Sequence, residues 1–172
     1  LAEAARARRP PQGIHGLVNN AGAGYNERRL SPPDGIEMTM AINHVAVAAL
    51  TDALLDSLHA GAESLGRPSR VVSMTALIEG RGNVETDWSF PGKYSQTQAY
   101  FNAKLTNLLW VYAMARRLDG LGGITVNAVS PGSVNSGFGA KAGGGVFGLM
   151  MKLGSPFYGH ASKAPPGGSS GS

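Results

Sequence analysis

The sequence predicts an α/β fold: a partial, Rossmann-like doubly wound parallel sheet of three strands with flanking helices. Helix-like and strand-like segments alternate along the chain, and such alternation favours βαβ units with parallel strands. Three short apolar runs, at 14–18, 70–75 and 124–129, are typical of strands buried in a parallel sheet. The segments before and between them carry helix-forming residues or apolar residues at helical spacing.

The first half of the chain is expected to hold two helices and one strand. Residues 1–9 are rich in Ala, Arg and Glu, which favour helix, and two prolines end it. After the strand at 14–18 a polar loop extends to Pro33, and Asp34 is a good N-cap for a long helix over about 35–60. Asn43 falls on the apolar face of that helix, which is formed by Ile36, Met40, Val47, Leu50, Leu54 and Leu58.

The second half is expected to hold two strands and one helix. The segment 79–97 is long, polar and irregular, and loops of this length often carry function. A helix is expected from about Gln98 to Leu118, ended by the glycines that follow. After Ser136 the pattern fades: Val146 to Leu153 is apolar and could form a short packing helix, and a flexible tail is expected at 165–172.

The composition limits the functions to be considered. The 172 residues are enough for one domain with a buried core, and the net charge of +4 is mild. Basic residues cluster at 6–9 and 28–29 without interleaved aromatic residues, so no nucleic-acid partner is expected. The chain has no cysteine, which excludes thiolate chemistry, and its 4 histidines lack metal-ligand spacing, so no metal site is expected.

The N-terminus and the apolar runs bear on localisation. No apolar run approaches the roughly 20 residues that span a bilayer, and the arginine-rich start is unlike a signal peptide. These features predict a cytoplasmic protein with no transmembrane segment. The chain opens inside a predicted helix, so we expect an N-terminal part of the domain to precede residue 1.

Tyr100 and Lys104 are the strongest chemical signal in the chain. They lie four residues apart on a predicted helix, so they project from one face, which Leu108 and Val111 continue toward the core. An ammonium beside a phenol lowers the tyrosine pKa from its reference of about 10, and such a side chain can exchange a proton with an alcohol or carbonyl near neutral pH. The alternative is a packed tyrosine ring and a lysine that extends to solvent.

Three further features accompany this pair. The first strand runs into Asn-Asn-Ala-Gly at 19–22, where small residues let a flat ligand approach the backbone at a sheet edge that commonly binds ligands. Asn43 lies on a buried helix face, where its amide must be hydrogen-bonded. Pro131 and Gly132 follow the third strand, and Ser136 lies just beyond them.

Together these motifs resemble the short-chain dehydrogenase/reductase family. Asn-Asn-Ala-Gly at 19–22, Asn43 within MAINHVA, AYFNAKLTNLL at 99–109 and VNAVSPGSVNS at 126–136 match in type, order and spacing. The stretch DGIEMTMAINH and the segment around Tyr94 are similar to the retinol-dehydrogenase-like branch. The resemblance implies that residues 1–140 are the catalytic half of an N-terminally truncated NAD(P)-binding domain. It also implies a substrate-covering segment at 141–164, and a short packing helix there is the alternative.

The resemblance also implies a role for each residue. Tyr100 would be the general acid/base, Lys104 would promote its ionisation and hold the nicotinamide ribose, and Asn43 would anchor a water in a proton relay. Cofactor contacts are implied for Asn19, Asn20, Ala21, Gly22, Tyr100, Lys104, Pro131, Gly132, Val134 and Ser136. Ser136 stands where the family usually has threonine, and it keeps the hydroxyl.

Two departures from the family pattern affect the site. The family usually ends its second strand here with two serines, the later one catalytic, whereas without a gap Ala76 takes that place in this chain. We expect Thr75 to supply the substitute hydroxyl, with Ser73 as the other candidate. The family's glycine-rich phosphate loop is missing ahead of the Asn-Asn-Ala-Gly motif, and with it the residue that selects NAD or NADP.

The resemblance implies an enzyme that transfers a hydride between NADP or NAD, with NADP slightly favoured, and a small alcohol or carbonyl substrate of lipophilic character. The alternatives are a catalytically inactive fragment, a binding module, or an unrelated Rossmann-like protein such as a methyltransferase, which would leave Tyr100, Lys104 and Asn43 unexplained. A homo-oligomer through the helices at 35–60 and 97–118 is also implied. Because the sheet is partial, we expect one open strand edge and an exposed sheet face.

Overall fold

The structure is a computed structural model, and it describes residues 2–7, 10–32, 34–76, 81–84 and 87–130. Its central sheet has three parallel strands, in the order Gly16–Asn19, Ser69–Met74 and Ile124–Val129, which confirms the predicted fold class. A two-stranded antiparallel hairpin lies between the first two of them in the sequence. The strand bounds are β1 (Gly16–Asn19), β2 (Leu30–Ser31), β3 (Ile36–Glu37), β4 (Ser69–Met74) and β5 (Ile124–Val129).

The described helices begin with α1 (Ala2–Ala7). A continuous helix, Met38–Leu65, follows β3 and consists of α2 (Met38–Met40), a π-helical turn (Ala41–Val45) and α3 (Ala46–Leu65). The last is α4 (Gln96–Leu118). Helices α3 and α4 both pack on the sheet. The core between these two helices and the sheet is formed by Leu58, Val71, Val111, Met114, Leu118, Ile124 and Val126.

The prediction that Asp34 caps the long helix is wrong. Asp34 is exposed, and Gly35 has a φ of 67°, which allows the chain to turn between β2 and β3. The N-cap is Glu37, whose side chain accepts a hydrogen bond from the Met40 N–H. Ile36 is therefore part of a strand, and the helix begins at Met38 rather than near residue 35.

The other predicted elements are present with small changes at their ends. Strand β1 begins and ends later than the predicted 14–18, β4 begins and ends one residue earlier than 70–75, and β5 matches 124–129. Helix α4 begins at Gln96 because the Ser95 side chain accepts from the Gln98 N–H and caps it. Thr75 lies one residue past β4, and its N–H still donates to the Val129 carbonyl at 2.9 Å.

Among the described residues, the sheet has an exposed face and an unpaired edge at β1, as the sequence predicts. Val18 is 63% exposed and Val129 is 43% exposed, although both lie in strands of the central sheet. Within the part of the chain that the structure describes, β1 pairs only with β4. Apolar side chains and an unpaired strand edge at one side of a sheet are features that proteins normally cover.

One helix of the described residues, Met38–Leu65, is long and apolar enough to cross a membrane by length and composition. The sequence was expected to contain no such segment, because its apolar residues do not form an uninterrupted run. Of the residues in the apolar window, 44% are buried inside the protein, and core helices of water-soluble proteins meet the same criterion. The absence of a transmembrane segment therefore stays a prediction.

The chain before β1 lies directly against α3 at two glycines. The Ile14 N–H donates to the Ser57 carbonyl at 2.8 Å. A Cβ atom on Gly61 would overlap the Ile14 carbonyl oxygen and lie 2.6 Å from the Ile14 carbonyl carbon. A Cβ atom on Gly13 would lie 2.7 Å from the Ala60 carbonyl carbon. Only glycine permits this backbone-to-backbone contact, which sets the position of β1 against the helix.

Candidate active site

Three of the predicted site residues converge beside the carboxyl ends of β1 and β4. A Cβ atom on Gly22 would lie 2.9 Å from Asn43 Oδ1 and 3.9 Å from Lys104 Nζ. Gly22 follows β1, Asn43 lies in the π-helical turn, and Lys104 lies on α4. The missing side chain of Gly22 thus lets an amide oxygen and an ammonium group lie close to the backbone that follows β1.

Lys104 is buried, with 5% of its surface exposed. Its Nζ donates to the Met74 carbonyl at 3.0 Å, at the end of β4, and lies 5.6 Å from the centroid of the Tyr100 ring. The ring is within the range of a cation–π contact. The lysine does not extend to solvent, so the alternative interpretation of this pair does not hold for Lys104.

Asn43 lies at the centre of the π-helical turn and is 1% exposed. Its Nδ2 donates to the Ala23 carbonyl at 2.6 Å and to the Thr39 carbonyl at 2.7 Å. Because both amide protons are used, the orientation of the amide is determined. Within the described ranges its Oδ1 accepts no hydrogen bond, and a buried acceptor left in this way costs about 1–3 kcal/mol. Such an atom suits a ligand or a bound water.

The two candidate hydroxyl groups lie in different surroundings. Ser73 is fully buried, and its Oγ accepts from Asn19 Nδ2 at 3.3 Å. The same Nδ2 donates to Thr51 Oγ1 on α3 at 3.1 Å. Ser73 is therefore part of a structural network between the sheet and the helix. Thr75 is 7% exposed, next in the chain to the carbonyl that Lys104 binds.

The residues after β1 divide into a structural and an exposed group. The side chain of Asn19 is buried and holds β1 to β4 and α3. Asn20, Ala21 and Gly22 are exposed. A ligand at this strand end therefore meets residues 20–22 and can contact residue 19 only through its backbone. The other predicted cofactor residues, Pro131, Gly132, Val134 and Ser136, lie outside the described residues, as do the segments 141–164 and 165–172.

A family model described as short chain dehydrogenase matches residues 1–144. The chain belongs to the short-chain dehydrogenase family. It is 35% identical over 130 residues to human retinol dehydrogenase 13, covering 74% of this chain and 37% of that protein. It is 36% identical over 125 residues to the chloroplastic short-chain dehydrogenase TIC 32 A of Brassica napus, covering 70% of this chain and 39% of that protein. The chain thus spans less than two fifths of the length of these curated relatives.

Solved structures of other proteins have the same fold as the chain. An uncharacterised protein from Mycobacterium paratuberculosis is 27% identical, with a TM-score of 0.63 over 97% of this chain and 57% of that one. A short-chain dehydrogenase from Sphingobium yanoikuyae in complex with NADPH is 19% identical, with a TM-score of 0.59 over 88% of this chain and 56% of that one. The family resemblance inferred from the motifs is therefore confirmed.

Glu37 is a buried residue of this short-chain dehydrogenase that the sequence motifs do not reveal. Its carboxylate is 1% exposed and accepts from Thr39 Oγ1 at 2.9 Å, Tyr94 OH at 3.0 Å and the Met40 N–H at 3.1 Å. An acidic residue between apolar Ile36 and Met38 was the available signal. It was missed because the helix was expected to start before it.

Tyr94 differs from Tyr100 in its chemistry. Burial, with the Glu37 charge beside it, raises the pKa of Tyr94 to about 12. At neutral pH its phenol therefore stays protonated and acts as a hydrogen-bond donor. Tyr94 is unsuited to proton transfer near neutral pH, which leaves Tyr100 as the tyrosine of this site that adjoins a buried cation.

His44 is expected to make the stability of the fold dependent on pH. Burial lowers the pKa of His44, and the Asn107 side chain offsets this only in part. The unfolded chain therefore takes up a proton at a pH where the folded chain does not, so stability is complete above about pH 6.5 and falls as the pH drops below it. Urea unfolding at pH 7.5 and 5.5 should show a smaller loss for His44→Gln than for the wild type.

The exposed His15 provides the control for this measurement. His15→Gln should keep the full acid sensitivity of the wild type. An identical pH dependence in wild type and His44→Gln would contradict the assignment. The aromatic rings around His44, Trp88 at 5.5 Å and Trp110 at 6.5 Å between centroids, supply the apolar surroundings.

Proposed function

We propose that the chain is the catalytic half of an oxidoreductase that transfers a hydride between a nicotinamide cofactor and an alcohol or carbonyl substrate, with Tyr100 as the general acid/base. The observation that carries the proposal is the buried Lys104 ammonium 5.6 Å from the Tyr100 ring centroid. A cation near a phenol favours its ionised form, and a phenol so tuned can exchange a proton with the substrate oxygen.

The described residues fit the nicotinamide end of such a cofactor. Asn43 Oδ1, a buried acceptor without a partner among the described residues, lies close to Gly22 at the strand end. An ammonium group has three donors, so Lys104 can bind a ribose hydroxyl in addition to the Met74 carbonyl. When bound, the cofactor would supply or accept the hydride. The protein's part is then to position both reactants and to move one proton.

Thr75 and Asn43 would support the proton transfer. We assign Thr75 to hold the substrate oxygen, since Ser73 is committed to the network with Asn19. Asn43 would hold a water through Oδ1, because its two amide protons already bind carbonyls. The water would connect Lys104 and Tyr100 to solvent as a proton path. Pro131, Gly132, Val134 and Ser136 complete the proposed cofactor contacts.

The relatives support the finer features of the proposal. Their names include retinol dehydrogenases 11, 13 and 14, which favours a lipophilic alcohol or aldehyde substrate. Family structures hold NADP or NADPH, which favours NADP over NAD. The outer side of α4 carries Leu109 at 45% and Tyr112 at 55% exposure, which would suit a homo-oligomer through α3 and α4. One relative is chloroplastic, so a cytoplasmic location stays a prediction.

The second candidate function is a binding module without catalysis. It is favoured by Ala76, which without a gap takes the position of the family's catalytic serine. Both candidates use the same fold and the same open strand end. They differ in whether the chain binds a nicotinamide cofactor through Lys104.

Titration with NADPH and NADH, followed by cofactor fluorescence, tests the proposal. We expect the chain to bind NADPH and Lys104→Met to bind it about 10- to 100-fold more weakly, because a hydrogen bond from a charged group is lost while the apolar stem is kept. The control is Lys93→Met, which removes an exposed lysine from a loop. No binding by the folded wild type would favour the binding module. If both variants bind NADPH equally weakly, the loss of affinity comes from the change in net charge and not from a contact with Lys104.

A further inference from the structure

We propose that Glu37 is a positioning residue for Asn43: through Thr39, its buried carboxylate sets the amide orientation in which Asn43 Oδ1 faces the site. The proposal rests on the proposed oxidoreductase function for the meaning of Asn43, whereas the geometry that carries it is independent of turnover. It concerns a cluster of three side chains, Glu37, Thr39 and Tyr94, which we call the carboxylate cluster.

The carboxylate of the cluster is surrounded by hydrogen-bond donors. Both hydroxyl groups donate to one oxygen of Glu37, Thr39 at 2.9 Å and Tyr94 at 3.0 Å. The other carboxylate oxygen accepts from the Met40 N–H at 3.1 Å. A buried carboxylate is costly unless donors surround it, and hydrogen bonds to a charged acceptor are stronger than neutral ones. Thr39, itself fully buried, is therefore held firmly by its side chain.

Thr39 connects the carboxylate cluster to Asn43. Its backbone carbonyl accepts from Asn43 Nδ2 at 2.7 Å, four residues along the helix. Only one residue thus lies between the carboxylate and the amide that faces the site. The second amide proton binds the Ala23 carbonyl at 2.6 Å, in the segment after Gly22. If Thr39 were to shift, the amide would have one fixed point instead of two.

The cluster also ties this helix to the loop before α4. The Glu37 N–H donates to the Trp88 carbonyl at 2.8 Å, and Tyr94 stands next to Ser95, the N-cap of α4. Helix α4 carries Tyr100 and Lys104. One carboxylate therefore holds the start of both helices that supply the site. Glutamine would bind these groups more weakly, because it carries no charge and its NH₂ group would face either the Met40 N–H or hydroxyl groups that would then have to accept.

Hydrogen exchange of the Asn43 side-chain amide tests the proposal. The full chain is labelled with ¹⁵N-asparagine, and the Asn43 signals are identified by their loss in Asn43→Asp. We expect Thr39→Val, which keeps the branched shape, to speed exchange of the Asn43 side-chain protons about tenfold or more. Glu37→Gln should act in the same direction. The matched control is Thr106→Val on α4, whose hydroxyl donates to the Asn102 carbonyl at 2.8 Å.

The outcomes separate the two proposals. Faster exchange in Thr39→Val, with Thr106→Val within about twofold of wild type, supports positioning by Glu37. Unchanged exchange in Thr39→Val, or an increase no larger than its loss of global stability, overturns it. If Glu37→Gln does not fold, Thr39→Val decides. A wild type that binds no cofactor would defeat the proposed function and leave the exchange result standing.

Discussion

Tyr100→Phe is expected to lower kcat by about 10²- to 10⁴-fold, the range that general acid–base catalysis contributes. The substitution removes the hydroxyl group that would exchange a proton with the substrate oxygen and keeps the ring that lies beside Lys104. Cofactor binding should weaken much less than kcat falls, because the buried ammonium of Lys104 remains. The expected signature is therefore a loss in kcat far larger than the change in Kd for NADPH.

Steady-state oxidation of NADPH with a lipophilic aldehyde measures this effect, and fluorescence titration measures the Kd. Tyr112→Phe is the matched control, since it makes the same change on the same helix at a side chain that is 55% exposed. It should turn over at the wild-type rate. A kcat for Tyr100→Phe within about threefold of the wild type would remove Tyr100 from the mechanism.

Gly61→Ala is expected to destabilise the fold by about 3 kcal/mol or more. Inside a helix, alanine normally stabilises by about 0.8–1 kcal/mol relative to glycine. Here the new methyl group would overlap the Ile14 carbonyl, and the contacting atoms are backbone that cannot rotate away. The segment before β1 would have to move off α3, with loss of the hydrogen bond from the Ile14 N–H to the Ser57 carbonyl.

Urea unfolding followed by circular dichroism measures this loss. Gly16→Ala is the control, because a Cβ atom at Gly16 has its nearest contact at 3.9 Å, an ordinary van der Waals distance. That variant should keep nearly the full free energy of unfolding. Equal free energies for Gly61→Ala and Gly16→Ala would show that the segment before β1 is not held against α3 by this backbone contact.

The sequence predicts most of the helices and strands well because the signals for them are local. The apolar runs at 70–75 and 124–129 and the helical spacing of Tyr100 and Lys104 need no distant partner to be recognised. The start of the long helix was misplaced because an aspartate such as Asp34 is a preferred N-cap by local criteria, whereas a glutamate such as Glu37 is not. The choice between them depends on distant contacts: the Glu37 N–H donates to the Trp88 carbonyl, and the Met38 N–H donates to the Arg29 carbonyl.

The site was predicted where the family motifs supply it and missed where only the fold does. Asn43 and Lys104 stand in short motifs, and the structure brings both close to Gly22. Glu37 and Tyr94 are 57 residues apart, and no sequence pattern pairs them. Asn19 illustrates the opposite case, because its motif suggests a cofactor contact while its side chain binds Thr51 and Ser73.

The π-helical turn bears on how this helix can change over evolutionary time. Its extra residue is visible in the hydrogen bond from the Ala46 N–H to the Ala41 carbonyl, and each added residue rotates the remainder of the helix by about 100°. Before the end of the turn Asn43 faces the site, and after it Val47 and Leu58 are buried in the core. Deleting one residue here would turn either the amide or the apolar face away. A one-residue deletion within this turn should therefore be tolerated only in a protein that no longer needs Asn43 at the site or that repacks α3 against the sheet.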